Sequence, residues 1–328
     1  MAFTLFDFIY LLGSLGLFLF GMKIMSEGIQ KAAGDRMRQI LAAMTSRRVL
    51  GLLTGVLVTA LVQSSSATTL MVVSFVNAGL LQLGQAISVI MGANIGTTVT
   101  AWVITLFGFK IDISTFAIPL FAISIPLIYT KREQLNSLGE FLVGFSLLFL
   151  GLQFLKDSMP DLQSHPEALE FLRGYTDMGF ASILIFLLIG TIMTLLVQSS
   201  SATVAITLIM CSKGWIPFEI ATAMILGENI GTTITANLAA LGANVNAKRA
   251  ALSHLLFNVF GVLLVLIFFY PFTNMIVNWL MNMGIGDPRE LYEYTSRLSQ
   301  VYDPASMSAI SSTETLADPS LAAIQAQI

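Results

Sequence analysis

Two short polar blocks interrupt a chain that is otherwise mostly apolar. Gln63-Ser64-Ser65-Ser66 and Gln198-Ser199-Ser200-Ser201 each set one amide and three hydroxyls in a row. An asparagine follows each glutamine after 31 residues, Asn94 or Asn229, and opens an Asn-Ile-Gly-Thr-Thr block. Such groups inside an apolar segment are costly unless they pair or line a wet cavity. Nucleophilic chemistry is a poor use for them. A serine nucleophile needs a base within reach, and neither block is accompanied by His or Lys, so an enzyme is not expected. Binding suits them better. Free N–H groups where a helix restarts after each Gln-Ser-Ser-Ser attract an anion, with hydroxyls and amides as further donors. Carbonyls left open at the end of the preceding half-helix, with Thr and Ser oxygens, suit a hard cation such as sodium. Neither block contains Lys or Arg, so a bound anion needs helix termini and co-bound cations to offset its charge.

The blocks belong to a duplication. Leu61–Ala101 and Leu196–Ala236 align without a gap at an offset of 135, and 19 of 41 positions are identical. Small polar residues often serve only as glue between membrane helices, but packing alone does not require one polar sequence twice at one spacing. Glu228 breaks the symmetry, since its counterpart is Ala93. An ionisable residue in a membrane segment is functional by default, as a cation ligand or a proton acceptor. His254, His165, Cys211 and the 16 methionines carry no separate chemistry in this reading.

The elements that must hold these groups are membrane helices. Of 328 residues 55% are hydrophobic and 11% charged, with mean hydropathy +0.82. A soluble surface needs about 25% charged residues, so lipid is the solvent. The net charge of −3 gives no case for nucleic acid, and one cysteine allows no internal disulfide. The first apolar run lacks a leader's basic start and cleavage site and reads as a retained helix. The expected order is a helix at Leu5–Met22, a basic interfacial stretch Lys23–Arg48, and a re-entrant hairpin around Gln63–Ser66 with halves of about a dozen residues. A helix broken at Asn94-Ile95-Gly96 and a crossing at Ile113–Tyr129 follow. The second copy repeats this with Leu138–Leu155, a hairpin around Gln198–Ser201, a broken helix at Glu219–Leu241 and a last helix from Ala250. Three crossings per copy invert the second copy. Lys31–Arg48, Lys131/Arg132 and Lys248/Arg249 then share the cytoplasmic side, opposite Lys110/Asp112 and Asp157–Asp177, with the N-terminus outside. The expected fold is an all-α polytopic membrane protein of two inverted-topology repeats, 1–137 and 138–284, with a polar tail at 285–328. That tail would emerge outside unless a further helix follows or Pro271 turns the last run back.

The twin blocks resemble the signature of the type II sodium-dependent phosphate cotransporters and their bacterial relatives. The resemblance covers roughly residues 1–284. It implies an inverted-repeat symporter of inorganic phosphate and sodium in the cell (inner) membrane, multi-pass, without a cofactor and with room for a homodimer. Phosphate would sit between the tips, at Gln63, Ser64, Ser65, Ser66, Gln198, Ser199, Ser200 and Ser201, with Asn94 and Asn229 shaping the breaks. Sodium would take Gln198, Ser199, Thr232 and Thr235, with Thr97, Thr98, Thr100 and Glu228 as further cation candidates. Thr59 and Thr194, four residues before each glutamine, would line the cavity with Thr68 and Thr203. Glu228 stands where animal members carry a small residue, which leaves the cation stoichiometry open. Bacterial members often continue into another helix and a cytoplasmic PhoU-like domain. The polar groups themselves leave open a cation-coupled carrier of another small oxyanion, or a phosphate-sensing membrane protein.

Overall fold

Eleven helices are described in a computed structural model, which covers residues 4–43, 47–110, 114–159, 174–290 and 292–293, without the side chains of 33–43, 109–110 and 114. They are α1 (Leu5–Ala43), α2 (Arg48–Val62), α3 (Ser65–Asn77), α4 (Leu83–Thr105), α5 (Ser114–Ile128), α6 (Glu133–Ser158), α7 (Phe180–Val197), α8 (Ser200–Ser212), α9 (Phe218–Ala239), α10 (Val245–Ile267) and α11 (Phe269–Asn282). No strand occurs among the described residues. The side chains of Arg36 and Arg38, the residue Asp112, the segment holding His165 and the tail beyond residue 293 lie outside them.

The duplication is visible in the packing. Lipid tails are as apolar as leucine, so close backbone approach rather than apolar burial holds membrane helices together. A Cβ on Gly92 would meet Leu52 O on α2 at 1.9 Å, and one on Gly227 would meet Leu187 O on α7 at 1.9 Å. Likewise Gly55 abuts Val89 O and Gly190 abuts Met224 O, each pair shifted by 135 residues. The two copies are tied by their first helices. Gly21 of α1 meets Leu148, Gly28 meets Phe141, Gly144 of α6 meets Met25 and Gly151 meets Phe18. The numbers fall on one helix as they rise on the other, so α1 and α6 run antiparallel. Glycines seven residues apart keep to one face of each helix. Phe18, Leu148, Phe149 and Leu152 fill the same seam.

The described contacts sort the turns into two ends. Gly51 near the start of α2 touches Ser88 of α4, and Asn77 at the end of α3 accepts from Asn244 N at 2.8 Å. Leu81, Ala240 and Ala247 share a cluster with Val76 there. At the other end Ile183, Ile216, Ile220 and Phe269 cluster. The α2–α3 pair therefore starts and finishes at one end of the molecule.

Among the described residues five helices are long and apolar enough to cross a membrane: Leu5–Ala32, Leu83–Gly108, Glu133–Ser158, Phe180–Val197 and Val245–Ile267. Four details differ from the sequence reading. First, α1 runs unbroken through Lys23 to Ala43, because Met25 and Gly28 continue its packing face against α6 instead of lying free at an interface. Second, α4 and α9 are not broken at Asn94 and Asn229. The polar groups there are satisfied within a regular helix: Thr97 and Thr98 bond back to Ala93 O and Ile95 O, and Asn94 donates across to Asn258. Gly96 serves close packing, its Cβ position lying 2.8 Å from Val56 O. The irregular turn falls later, a π-turn at Leu106–Lys110. Third, α7 has 18 residues rather than about a dozen and qualifies as a span, while α9 does not. Fourth, the last run breaks at Phe268, three residues before Pro271. Proline is tolerated in the first turn of α11 because no intrahelical partner awaits its missing N–H.

Candidate functional site

Each glutamine ends one helix and each second block residue starts the next. Gln63 caps α2 at φ 56° and Gln198 caps α7 at φ 58°, the only non-glycine residues at positive φ among those described. Their backbone N–H groups donate to Thr59 O and Thr194 O at 2.7 and 2.8 Å. Their side-chain amides donate to Ala60 O and, at 3.0 Å, Leu195 O. Ser64 and Ser199 then cap the restarting helices, accepting from Ala67 N at 3.2 Å and Ala202 N at 3.3 Å. One cap leaves other first-turn N–H groups free, so the positive ends of α3 and α8 remain open to an anion.

The two tips meet. They line one cavity of about 500 Å³, which contains all eight residues Gln63–Ser66 and Gln198–Ser201 with Val197. The third wall comes from α1: Leu19, Met22, Lys23, Ser26, Glu27 and Gln30. Ser26 donates to Val62 O at 2.7 Å, satisfying a carbonyl that the end of α2 leaves open, and Gln30 donates to Ser26 at 2.8 Å. Lys23 stands 3.9 Å from Glu27 and keeps most of its side chain exposed. This wall escaped sequence reasoning, which looked for charge only inside the blocks. Its signal was present: positions 19, 22, 23, 26, 27 and 30 share one helical face.

The other candidate residues lie off the cavity wall. Thr59, Thr68, Thr194 and Thr203 are buried behind the tips. Thr194 and Thr203 bond each other at 2.9 Å, and Thr68 bonds Ser64 O at 3.1 Å. Thr59 and Thr100 have buried hydroxyls without a partner among the described residues. Thr232 and Thr235 turn their hydroxyls to Glu228 O and Thr232 O, both at 2.9 Å. Asn94 donates to Asn258 at 2.6 Å and lies 3.4 Å from His254, which makes His254 part of a buried polar cluster between α4 and α10. Asn229 is half-buried on α9. Glu228 is 1% exposed and accepts from Thr207 at 2.7 Å. Among the described residues no group of three His, Cys, Asp or Glu could hold a metal ion. The arrangement can hold a small anion between helix N-termini, hydroxyls, amides and one lysine.

Comparison with known proteins bears on the cargo. A family model described as Na+/Pi-cotransporter matches residues 17–157 and 167–285. A protein of Salmonella typhimurium, provisionally named inorganic phosphate export protein YjbB, is 32% identical over 269 residues, which are 81% of this chain and 48% of that protein. An uncharacterised Bacillus subtilis protein, YqeW, is 31% identical over 79% of this chain and 81% of its own length. Sodium-dependent phosphate transport protein 2A of Rattus norvegicus is 45% identical over 98 residues, 29% of this chain and 15% of that protein. The chain spans about half the length of YjbB. No solved structure matches it.

Proposed function

This chain belongs to the Na+/Pi-cotransporter family of multi-pass membrane proteins, and from that premise we propose that it moves inorganic phosphate across the cell (inner) membrane by sodium-coupled symport. The observation that carries the reading is the single cavity shared by both Gln-Ser-Ser-Ser tips. Phosphate sits between Gln63, Ser64, Ser65, Ser66, Ser200 and Ser201, at the positive ends of α3 and α8. Lys23 adds a positive charge that neither block carries, partly offset by Glu27 at 3.9 Å on the same wall. Sodium takes Gln198, Ser199, Thr232 and Thr235.

The transport cycle follows from a fold of two inverted repeats, residues 1–137 and 138–284, with α2–α3 and α7–α8 as re-entrant hairpins. Three features support it: the antiparallel α1–α6 seam, the return of α2–α3 to its own end, and the polar tips in the interior. Rocking one repeat against the other would open the same tips to each side in turn. A second reading concerns direction, because relatives are named for phosphate export. The same site serves either direction, since gradients and coupling set the sign of net flow.

The test is uptake of labelled phosphate into proteoliposomes containing only this chain. Accumulation driven by an inward sodium gradient, and lost when potassium replaces sodium, supports symport. Efflux from preloaded vesicles that ignores the sodium gradient supports export. Uptake competed by sulfate as well as by phosphate would widen the cargo to other oxyanions. Gln198→Ala or Thr232→Ala is expected to weaken sodium dependence, and Ser65→Ala to raise the phosphate concentration needed.

A further inference from the structure

Hydrogen-bond acceptors line the cavity as well as donors. Glu27 of α1 stands in its wall with a carboxylate-bearing side chain that is 44% exposed. Lys23, the other charged residue of that wall, is 3.9 Å away, beyond hydrogen-bond distance. No described residue donates a hydrogen bond to the Glu27 carboxylate. Ser26 beside it gives its one hydrogen to Val62 O and accepts from Gln30, so its hydroxyl has nothing left to donate.

The glutamines at the tips add a further acceptor. Gln63 and Gln198 each donate a side-chain N–H to a backbone carbonyl, Ala60 O or Leu195 O. A carbonyl oxygen cannot donate, so the amide nitrogen must face it and Oε1 takes the other branch. The proposed sodium site accounts for the oxygen of Gln198. Nothing accounts for that of Gln63, which is buried with no hydrogen-bond partner among the described residues. Donors remain at Lys23, at Ser65, Ser66, Ser200 and Ser201, and at the open first turns of α3 and α8.

An oxyanion whose oxygens are all bare can meet those donors. It leaves Gln63 Oε1 unpaired, however, and sets its own charge against Glu27. An oxyanion that keeps one hydroxyl serves both kinds of group, its bare oxygens taking the donors and its O–H donating to an acceptor. A site built to pair a ligand hydroxyl rejects the analogue lacking it, because polar groups are then left unpaired. Negative charge facing a bare oxygen acts in the same sense. We propose that Glu27, with the Gln63 side-chain oxygen, selects hydroxyl-bearing oxyanions, so that the cavity admits hydrogen phosphate and refuses sulfate. The inference rests on the phosphate reading of this cavity and names the form of oxyanion it takes. A merely solvated Glu27 would repel every dianion alike, which is the difference the experiment reads.

The experiment is competition against labelled phosphate bound to the purified chain in detergent with sodium. Mildly alkaline buffer keeps every competitor chiefly a dianion, so that charge is constant. Arsenate keeps the hydroxyl, sulfate lacks it, and monofluorophosphate carries fluorine in its place. Arsenate should compete about as well as phosphate, and the other two about a hundredfold more weakly. In Glu27→Gln, whose amide can turn an N–H to the anion, that gap should shrink about tenfold. Glu27 is half-exposed, and the substitution keeps its shape, so the variant should fold. Sulfate or monofluorophosphate matching phosphate on the unaltered protein would overturn the proposal. So would a gap left unchanged by Glu27→Gln, or an equal gain for all four anions. Selective phosphate binding without uptake into vesicles would strike the transport reading and leave this inference standing. A chain that binds no phosphate would overturn both.

Discussion

Gln63 and Gln198 hold a backbone conformation that strains any residue with a Cβ by roughly 1 kcal/mol, and both stand in the cavity wall. Strain kept at a pair of matched positions is a mark of function. Gln198→Gly should therefore leave thermal stability in detergent unchanged or raise it by about 1 kcal/mol, while phosphate uptake falls. A drop in both would mean that the amide is structural. Lys23 offers a second residue-scale test. It is exposed and screened, so its worth to a bound anion is modest. Lys23→Gln should weaken apparent phosphate affinity roughly fivefold, which corresponds to about 1 kcal/mol. Uptake measured against phosphate concentration reads this directly, and high salt should shrink the difference.

At the scale of elements, the helices meet through backbone rather than through large side chains. Gly92→Ala and Gly227→Ala would each drive a methyl group into a carbonyl 1.9 Å away. Neither neighbour is a flexible side chain, so a loss of about 3 kcal/mol or more is expected, seen as a lower unfolding temperature or failure to express. Gly261 on α10 is the control, with nothing within 4 Å of its Cβ position. Gly261→Ala should be neutral or stabilising by up to about 1 kcal/mol. Equal damage from all three would mean that close approach is not what these helices require. The Asn-Ile-Gly-Thr-Thr blocks fall under the same logic, since their glycines press against α2 and α7 while their threonines bond back to their own helix.

Across the whole molecule, the turns divide between two ends, and the proposed inversion of the repeats would assign a side of the membrane to each. With Cys211→Ser as background, single cysteines at Thr130 and Ala243 should react with an impermeant reagent from one side. Cysteines at Met178 and Ile285 should react from the other. Labelling of Met178 and Ala243 from the same side would rule out inverted repeats. The copies are not equivalent throughout. α5 packs chiefly on α6, whereas α10 docks on α3 and α4 through Asn77–Asn244 and Asn94–Asn258.

The duplication, the helical membrane class and the polar tips were legible because they are local. Composition sets the solvent, and one polar sequence repeated at one spacing has no other simple cause. Helix caps at Ser64 and Ser199 follow from residue type as well. The α1 wall was only half legible: helical spacing puts its six residues on one face, but nothing in Leu5–Ala43 says that this face will meet tips far along the chain. The continuity of α4 and α9 was not legible: an asparagine in a membrane helix can break the backbone or find a partner, and that partner, Asn258, lies 164 residues on. Local chemistry names the groups that need satisfying. Only tertiary packing decides what satisfies them.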